Sequence, residues 1–205
     1  MDSEIYTYRN ALKDYPASDG KLAGKRIVIQ PNMSVGGWIT DAGSVALEGF
    51  IAIDDAAVIK RLKDAGAILT GSSRMSELGF GLSGDTGAHT LSRGEADIVL
   101  ITDTMGESRI AASLSGFYGF KPSFGIVSRS GLIGLVPSME CYGILAKNPS
   151  DIFDVLEIIA GNDENDFSMP EDTVPYFASA VFLQDKRFTA GVIRESLDFM
   201  SDREI

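Results

Sequence analysis

The chain has one cysteine, one histidine and one tryptophan among its 205 residues. A lone Cys141 cannot close an internal disulfide and has no second cysteine with which to form a metal knuckle. As a catalytic thiolate it would need a histidine beside it, and the single histidine, His89, lies far away in sequence. Cys141 is therefore expected to be a buried structural residue, and His89 alone makes no metal site. Basic residues are scarce as well: 18 Lys and Arg stand against 29 Asp and Glu, a formal net charge of -11. A nucleic-acid backbone and an anionic membrane surface both call for a basic face, so neither is expected as a direct partner. No apolar run approaches the ~20 residues of a membrane span, and MDSEIYTYRN has neither the cationic start nor the apolar stretch of a signal peptide. A cytoplasmic, soluble protein is expected.

What the chain does have is a globular composition, with 44% apolar and 23% charged residues, enough to bury the core of one domain. Residues 1–20, polar with three tyrosines, are expected to form a short helix or arm. KRIVIQ (25–30), ending at Pro31, predicts a strand followed by a turn. From Asp54 the segment DDAAVIKRLKDAG places Ala57, Val58, Leu62 and Ala65 on one face, with aspartates as caps in front and Gly66 behind, which predicts a helix. AILTG (67–71) predicts a strand, SSRMSEL a short helix or turn, and ADIVLIT (96–102) a buried strand. Residues 113–137 carry five glycines and two prolines that force repeated bends. Ser150 is expected to cap a helix over DIFDVLEIIAG, and FTAGVI (188–193) to form one more strand. Short strands alternating with helices point to an α/β fold: a mixed, largely parallel sheet flanked by helices.

Three patterns invite sharper readings. Gly79-Phe-Gly-Leu-Ser-Gly84 spells the dinucleotide fingerprint, but it follows a helical turn rather than ending a strand, and no acidic ribose ligand follows, so no cofactor is expected. Asp163, Glu164 and Asp166 lack the ligand spacing of a calcium loop and predict a helix-exit turn. Trp38, in a Gly-rich turn, predicts packing rather than a ligand platform.

The stretch ITDTMGESR (101–109) is a different matter. Together with DAAVIKRLKDAGAILTG, SELGFG, GFYGFKPSFGIVSRSGLIGLVPSME and SDIFDVLEIIAGND, it makes the chain similar to the amidase signature family, and within it to the A subunit of tRNA-dependent amidotransferases. The resemblance runs from about Gly24 to Asp166 and implies one shortened family domain over 1–205, with residues 188–205 as a last strand and tail. Family members hydrolyse amide bonds with a nucleophilic Ser, a bridging Ser and a Lys base. The nucleophile sits in an Asp-Thr-Gly-Gly-Ser-Ile-Arg loop whose glycines let backbone N–H groups turn inward as an oxyanion hole. Here Asp103, Thr104, Gly106 and Arg109 keep the family spacing, Met105 falls on a family glycine, and Glu107 falls on the nucleophile, with Ser108 one place off. Ser72 stands where the family has its Lys. The Gly-Gly-Ser-Ser-Gly-Gly segment of the bridging Ser has no counterpart, because residues 90–96 run nearly straight into ADIVLIT.

A carboxylate about 4 Å from a developing oxyanion repels it by roughly 4 kcal/mol at an effective dielectric of about 20, close to a thousandfold in rate. The resemblance so read implies a degenerate active site and a non-catalytic binding or assembly module. The alternative is an active amidase or amidotransferase A-like hydrolase that uses non-standard residues, with Glu107 as acid or base beside Asp103. For Glu107 itself, a solvated or Arg109-paired loop carboxylate is the expectation, and for Ser108 no nucleophilic role, since no Lys or His stands near it. A degraded gene product without selected function is a third reading. A shortened sheet implies an open edge, to be covered by a second copy or by a protein partner.

Overall fold

The computed structural model describes residues 6–10, 19–82, 87–170, 189 and 191. Two compact units divide the chain, and the elements below belong to the first, Met1–Pro175. In chain order they are β1 (Tyr6–Arg9), β2 (Arg26–Ile29), α1 (Ala57–Asp64), β3 (Ile68–Ser73), α2 (Ala88–Ser92), β4 (Ile98–Asp103), α3 (Glu107–Ser115), β5 (Tyr118–Phe120), β6 (Cys141–Ala146) and α4 (Pro149–Ile159). The expected strand at 188–193 falls largely outside the described residues.

The strands form one sheet in the order β1-β3-β2-β4-β6-β5. β2 runs parallel to both β3 and β4, and the three remaining pairings are antiparallel. The mixed α/β sheet flanked by helices is thus present, with a smaller parallel share than the alternation of elements predicted. The difference lies in β1, β5 and β6. β5 falls within a stretch that read only as bends, and β6, CYGILA, has a glycine at its centre and no β-branched run. Its strand state comes from six-residue pairing with β4, a long-range contact that no local pattern announces.

Every residue of β4 and β6 is buried, as a sheet covered by helices on both faces requires. Alternation along the strands sorts the core into two layers. Val28, Val99, Ile101 and Leu145 join Ala88 and Leu91 of α2 and Ala111 and Ala112 of α3 in one cluster. Asp103 follows Ile101 by two positions and so shares that face. The alternate residues Ile27, Ile98, Leu100 and Ile144 are equally buried and face the other way, where α1 and α4 pack together.

Both of these helices form where apolar spacing placed them. α1 buries Val58, Ile59 and Leu62, and α4 buries Ile152, Val155, Leu156 and Ile159 at helical intervals. Their starts differ from expectation. α1 begins after Ala56 with no side-chain cap, because Asp55 spends its carboxylate on the Gly36 N–H (2.9 Å) and the Lys63 ammonium (2.7 Å). The helix start is satisfied from the backbone instead, with Ala57 N donating to Ser130 O at 3.1 Å. α4 begins at Pro149, so Ser150 lies inside its first turn rather than capping it.

The N-terminal arm is a strand where it is described. Tyr6, Thr7, Tyr8 and Arg9 alternate in burial and pair with β3, and the Tyr8 ring lies 4.6 Å from that of Trp38. A β-branched and aromatic alternation on an open edge outcompetes a short helix. Trp38 is 8% exposed, a packing residue as expected.

Among the described residues three buried side-chain atoms, Asn32 Oδ1, Ser73 Oγ and the Tyr142 hydroxyl, have no hydrogen-bond partner. Tyr142 is fully buried, its hydroxyl has no hydrogen-bond partner among the described residues, and burial pushes its phenol pKa up. An unsatisfied buried hydroxyl costs on the order of 1–3 kcal/mol. Tyr142→Phe, which removes only that oxygen, is expected to raise stability by about 1 kcal/mol in urea unfolding. A loss of stability instead would mean that the hydroxyl has a partner.

Candidate functional site

β4 delivers Asp103 to the carboxyl end of the sheet, and α3 leaves from Glu107, with only Thr104, Met105 and Gly106 between them. The reversal is made at Gly106, the residue before the helix, whose φ of 128° is open to glycine and strained for any other residue. A turn this tight leaves several backbone N–H groups without helical partners. Two acidic side chains take up four of them, those of Thr104, Met105, Gly106 and Ser108. Asp103, with no exposed surface, accepts from Gly106 N (2.8 Å) through Oδ1 and from Ser108 N (3.0 Å) and the Ser108 hydroxyl through Oδ2. Glu107 folds back so that one oxygen, Oε2, accepts from Thr104 N (2.9 Å), Met105 N (2.8 Å) and Gly106 N (2.9 Å). The positive end of α3 further favours both carboxylates.

This geometry corrects the expectation for Glu107. The residue is 7% exposed, with Oε2 held by three backbone amides rather than by water or by Arg109. Arg109 approaches Asp103 instead, with Nη2 3.9 Å from Oδ1. The inward-pointing amides that the loop's resemblance implied are present, and a carboxylate of the chain itself is seated in them. Composition gave no sign of this, because a loop glutamate is ordinarily solvated; the signal was its position at the first residue of a helix, where a carboxylate can reach back to the preceding amides.

Ser108 is buried with its hydroxyl committed to Asp103, so it offers no oxygen to a ligand. Its helix is held against the sheet by two glycines. A Cβ on Gly143 of β6 would lie 2.6 Å from Ser108 Cβ, and one on Gly119 of β5 would lie 2.5 Å from Ser108 O. The Gly-rich composition of the 113–137 stretch therefore serves close helix approach as well as bending.

Ser72 is buried at the end of β3. β2 separates β3 from β4, so two strand spacings, about 10 Å, separate Ser72's strand from the one that delivers Asp103. A serine side chain is far too short to cross that gap. Residues 90–96 hold the end of α2 and the turn into β4. Thr90 there is buried, its hydroxyl donating to Gly87 O at 2.7 Å, and Ser92 is exposed.

Over the Glu107 carboxylate opens a pocket of about 260 Å³. Its walls are apolar: Leu78, Phe80 and Leu82 from one side, Met105 from the loop, and Leu135 and Val136 from the other. Of these wall residues only Met105 stood out in the sequence as part of the site loop. Leu78, Phe80 and Leu82 do alternate within the Gly-rich stretch. That stretch also contained the apparent dinucleotide fingerprint, but Gly79 closes a 3-10 turn (Glu77–Gly79), and Gly84 lies outside the described residues. Leu135 and Val136 are held in place from below by Glu140, whose Oε1 accepts both of their backbone N–H groups.

The other candidates are structural. Cys141 is buried, its thiol contacting Pro122 O at 3.6 Å, and burial pushes its pKa up, away from a thiolate. Asp163 and Asp166 staple the segment after α4 to residues 128–129. The Ser128 hydroxyl, donating to Asp163 at 2.5 Å, holds that carboxyl below the usual range. For Asp166, burial acts upward but is outweighed by hydrogen bonds from Ser168 and from Arg129 N. No cluster that could hold a metal ion occurs among the described residues. Nor is any helix there long and apolar enough to cross a membrane.

The profile of the Amidase family matches residues 4–90 and 83–205. The A subunit of the glutamyl-tRNA(Gln) amidotransferase of Haloarcula marismortui is 36% identical, aligned over 80% of this chain and 44% of its own. That of Methanocaldococcus jannaschii is 33% identical over 93% and 48%. Among solved structures, the corresponding amidotransferase polypeptide from Thermotoga maritima gives a TM-score of 0.73 at 27% identity, over 84% of this chain and 43% of that one. A structure described as a vestigial protein complex revealing the origins of an s-triazine catabolic enzyme gives 0.77 at 26% identity, over 83% and 45%. The chain thus spans a little under half the length of these relatives.

Proposed function

Because this chain belongs to the amidase family, we propose that it is a member without amide hydrolysis, in which the nucleophile loop has become a ligand-binding or assembly element. The observation that carries this reading is the seat of Glu107. Its Oε2 takes three amides at the place where family enzymes hold the developing oxyanion. Hydrogen bonds to a charged group are worth about 1.5–3 kcal/mol each, so a substrate carbonyl has to displace a well-held carboxylate and then develop negative charge beside it. The position of the family's Lys is Ser72, on a strand separated from β4 by β2.

Purified protein incubated with glutamine and with an aryl amide is expected to release no ammonia above the buffer rate, and Glu107→Ser is expected to restore none, since no amine base accompanies it. Turnover that disappears in Glu107→Ala would overturn this reading in favour of an amidase with unfamiliar residues.

Assembly belongs to the same proposal. β5 is an edge of the described sheet and carries half-exposed Tyr118 and Phe120, a surface suited to a second copy or another polypeptide. The same preparation, weighed by light scattering, is expected to exceed the monomer mass of 21.9 kDa. A particle of that mass at every concentration would remove self-association from the proposal. A cytoplasmic location fits both parts.

A further inference from the structure

The pocket above Glu107 has a property that neither the family nor an idle surface accounts for. Its walls are apolar, and among the described residues Glu107 is the one charged residue that lines it. That carboxylate is half used. Oε2 accepts three N–H groups, whereas Oε1 accepts none among the described residues. Glu107 is 93% buried by the residues around it, and Oε1 is not sealed from solvent as the buried unpaired atoms are. An acceptor-only oxygen with a formal charge, open to an apolar cavity, calls for a donor that is itself positive and attached to an apolar body.

Resting on the non-catalytic reading of the same loop, we propose that this pocket binds small hydrophobic amines, with the ammonium on Glu107 Oε1 and the apolar part between Phe80, Leu82, Leu135 and Val136. An anionic ligand is disfavoured by the same carboxylate and by the net charge of -11. A neutral amide supplies an N–H but no charge, and the bond it makes is roughly half as strong. The volume of about 260 Å³ lies just below the ~300 Å³ at which ligand pockets usually begin, so the body is a single ring or a short chain. The exposed Phe80 (74%) and Met105 (67%) at the rim are apolar surface that such a body covers.

The test is calorimetric titration of the whole chain with three ligands sharing one skeleton: 2-phenylethylamine, 2-phenylethanol and phenylacetate. The amine is expected to bind at least tenfold more tightly than the alcohol, and phenylacetate not at all. In Glu107→Gln the amide oxygen can keep the three backbone bonds while an NH2 replaces Oε1, and the preference for amine over alcohol is expected to vanish. Phe80→Ser, at an exposed rim position, is expected to weaken amine and alcohol alike and leave their ratio unchanged. Equal binding of amine and alcohol by the unaltered chain, or binding of phenylacetate, would overturn the proposal. So would an amine preference that survives Glu107→Gln. Ammonia release from phenylacetamide, measured in parallel, would instead bring down the non-catalytic reading, and the two failures are told apart by which ligand changes.

Discussion

Asp103→Ala is expected to destabilise the protein by about 4 kcal/mol, measured as the shift in urea-unfolding free energy. Asp103 has no exposed surface and accepts the N–H of Gly106, the N–H of Ser108 and the Ser108 hydroxyl. Not all of these are orphaned when the carboxylate goes. The hydroxyl can rotate, and Gly106 N retains its bond to Glu107. What remains is the buried Ser108 N–H, a strained reversal at Gly106 and an emptied volume beneath the helix. A buried donor left alone costs about 1–3 kcal/mol, and the cavity and the loosened loop bring the sum to about 4 kcal/mol. Asp103→Asn keeps the shape and part of the accepting capacity, so about half that loss is expected. Glu107→Ala is the informative comparison. It frees the Thr104 and Met105 amides while Gly106 N keeps its bond to Asp103, and since the freed amides face a pocket that water can enter, a loss of only about 1–2 kcal/mol is expected. A larger effect at Glu107 than at Asp103 would show that the loop is held from the pocket side and would sink this account of its stability.

Gly143→Ala is expected to cost about 3 kcal/mol for the opposite reason, too much atom rather than too little. The added Cβ would meet Ser108 Cβ at 2.6 Å, Ser108 Oγ at 2.9 Å and Asp103 Cβ at 3.1 Å. Two of these are Cβ atoms, fixed to their backbones, so the clash cannot be relieved by a rotamer change. Either α3 lifts from the sheet or β6 bends. In a Ser108→Gly background the same substitution is expected to cost markedly less, because the two nearest atoms are gone and only Asp103 Cβ remains close, and the difference is read as a coupling energy. Strictly additive losses would mean that α3 does not rest on β6 through this contact.

Much of the fold was legible in advance. Apolar spacing placed α1 and α4, and β-branched runs placed β2, β3 and β4. Cap residues were less reliable. Asp55 has more to gain from Lys63 and Gly36 than from the start of α1, and Ser150 lies beyond a proline that already opens α4. β1 and β6 were missed because each owes its state to a partner strand rather than to its own residues. The site was half legible. The family resemblance named Asp103, Thr104, Met105, Gly106, Glu107, Ser108 and Arg109 as one loop and Ser72 as a separate position; in the structure Asp103 ends β4, Thr104, Met105 and Gly106 make the turn, and Glu107, Ser108 and Arg109 open α3. It could not say where the Glu107 carboxylate points, nor that Phe80 and Leu135, distant in sequence, wall the same pocket.

The amino-acid order alone settled the family and the identity of the side chains at the loop, since these depend on local spacing and on residue type. It also settled the acidic balance and the want of a cysteine partner, which are matters of counting. The direction in which Glu107 folds, the burial of Ser108 against Asp103 and the apolar walls over the loop arise from contacts between strands and helices far apart along the chain. Hydrogen-bond geometry and burial belong to that arrangement. They decide whether a carboxylate lies in water or fills its own nest of amides, and no residue carries that choice by itself.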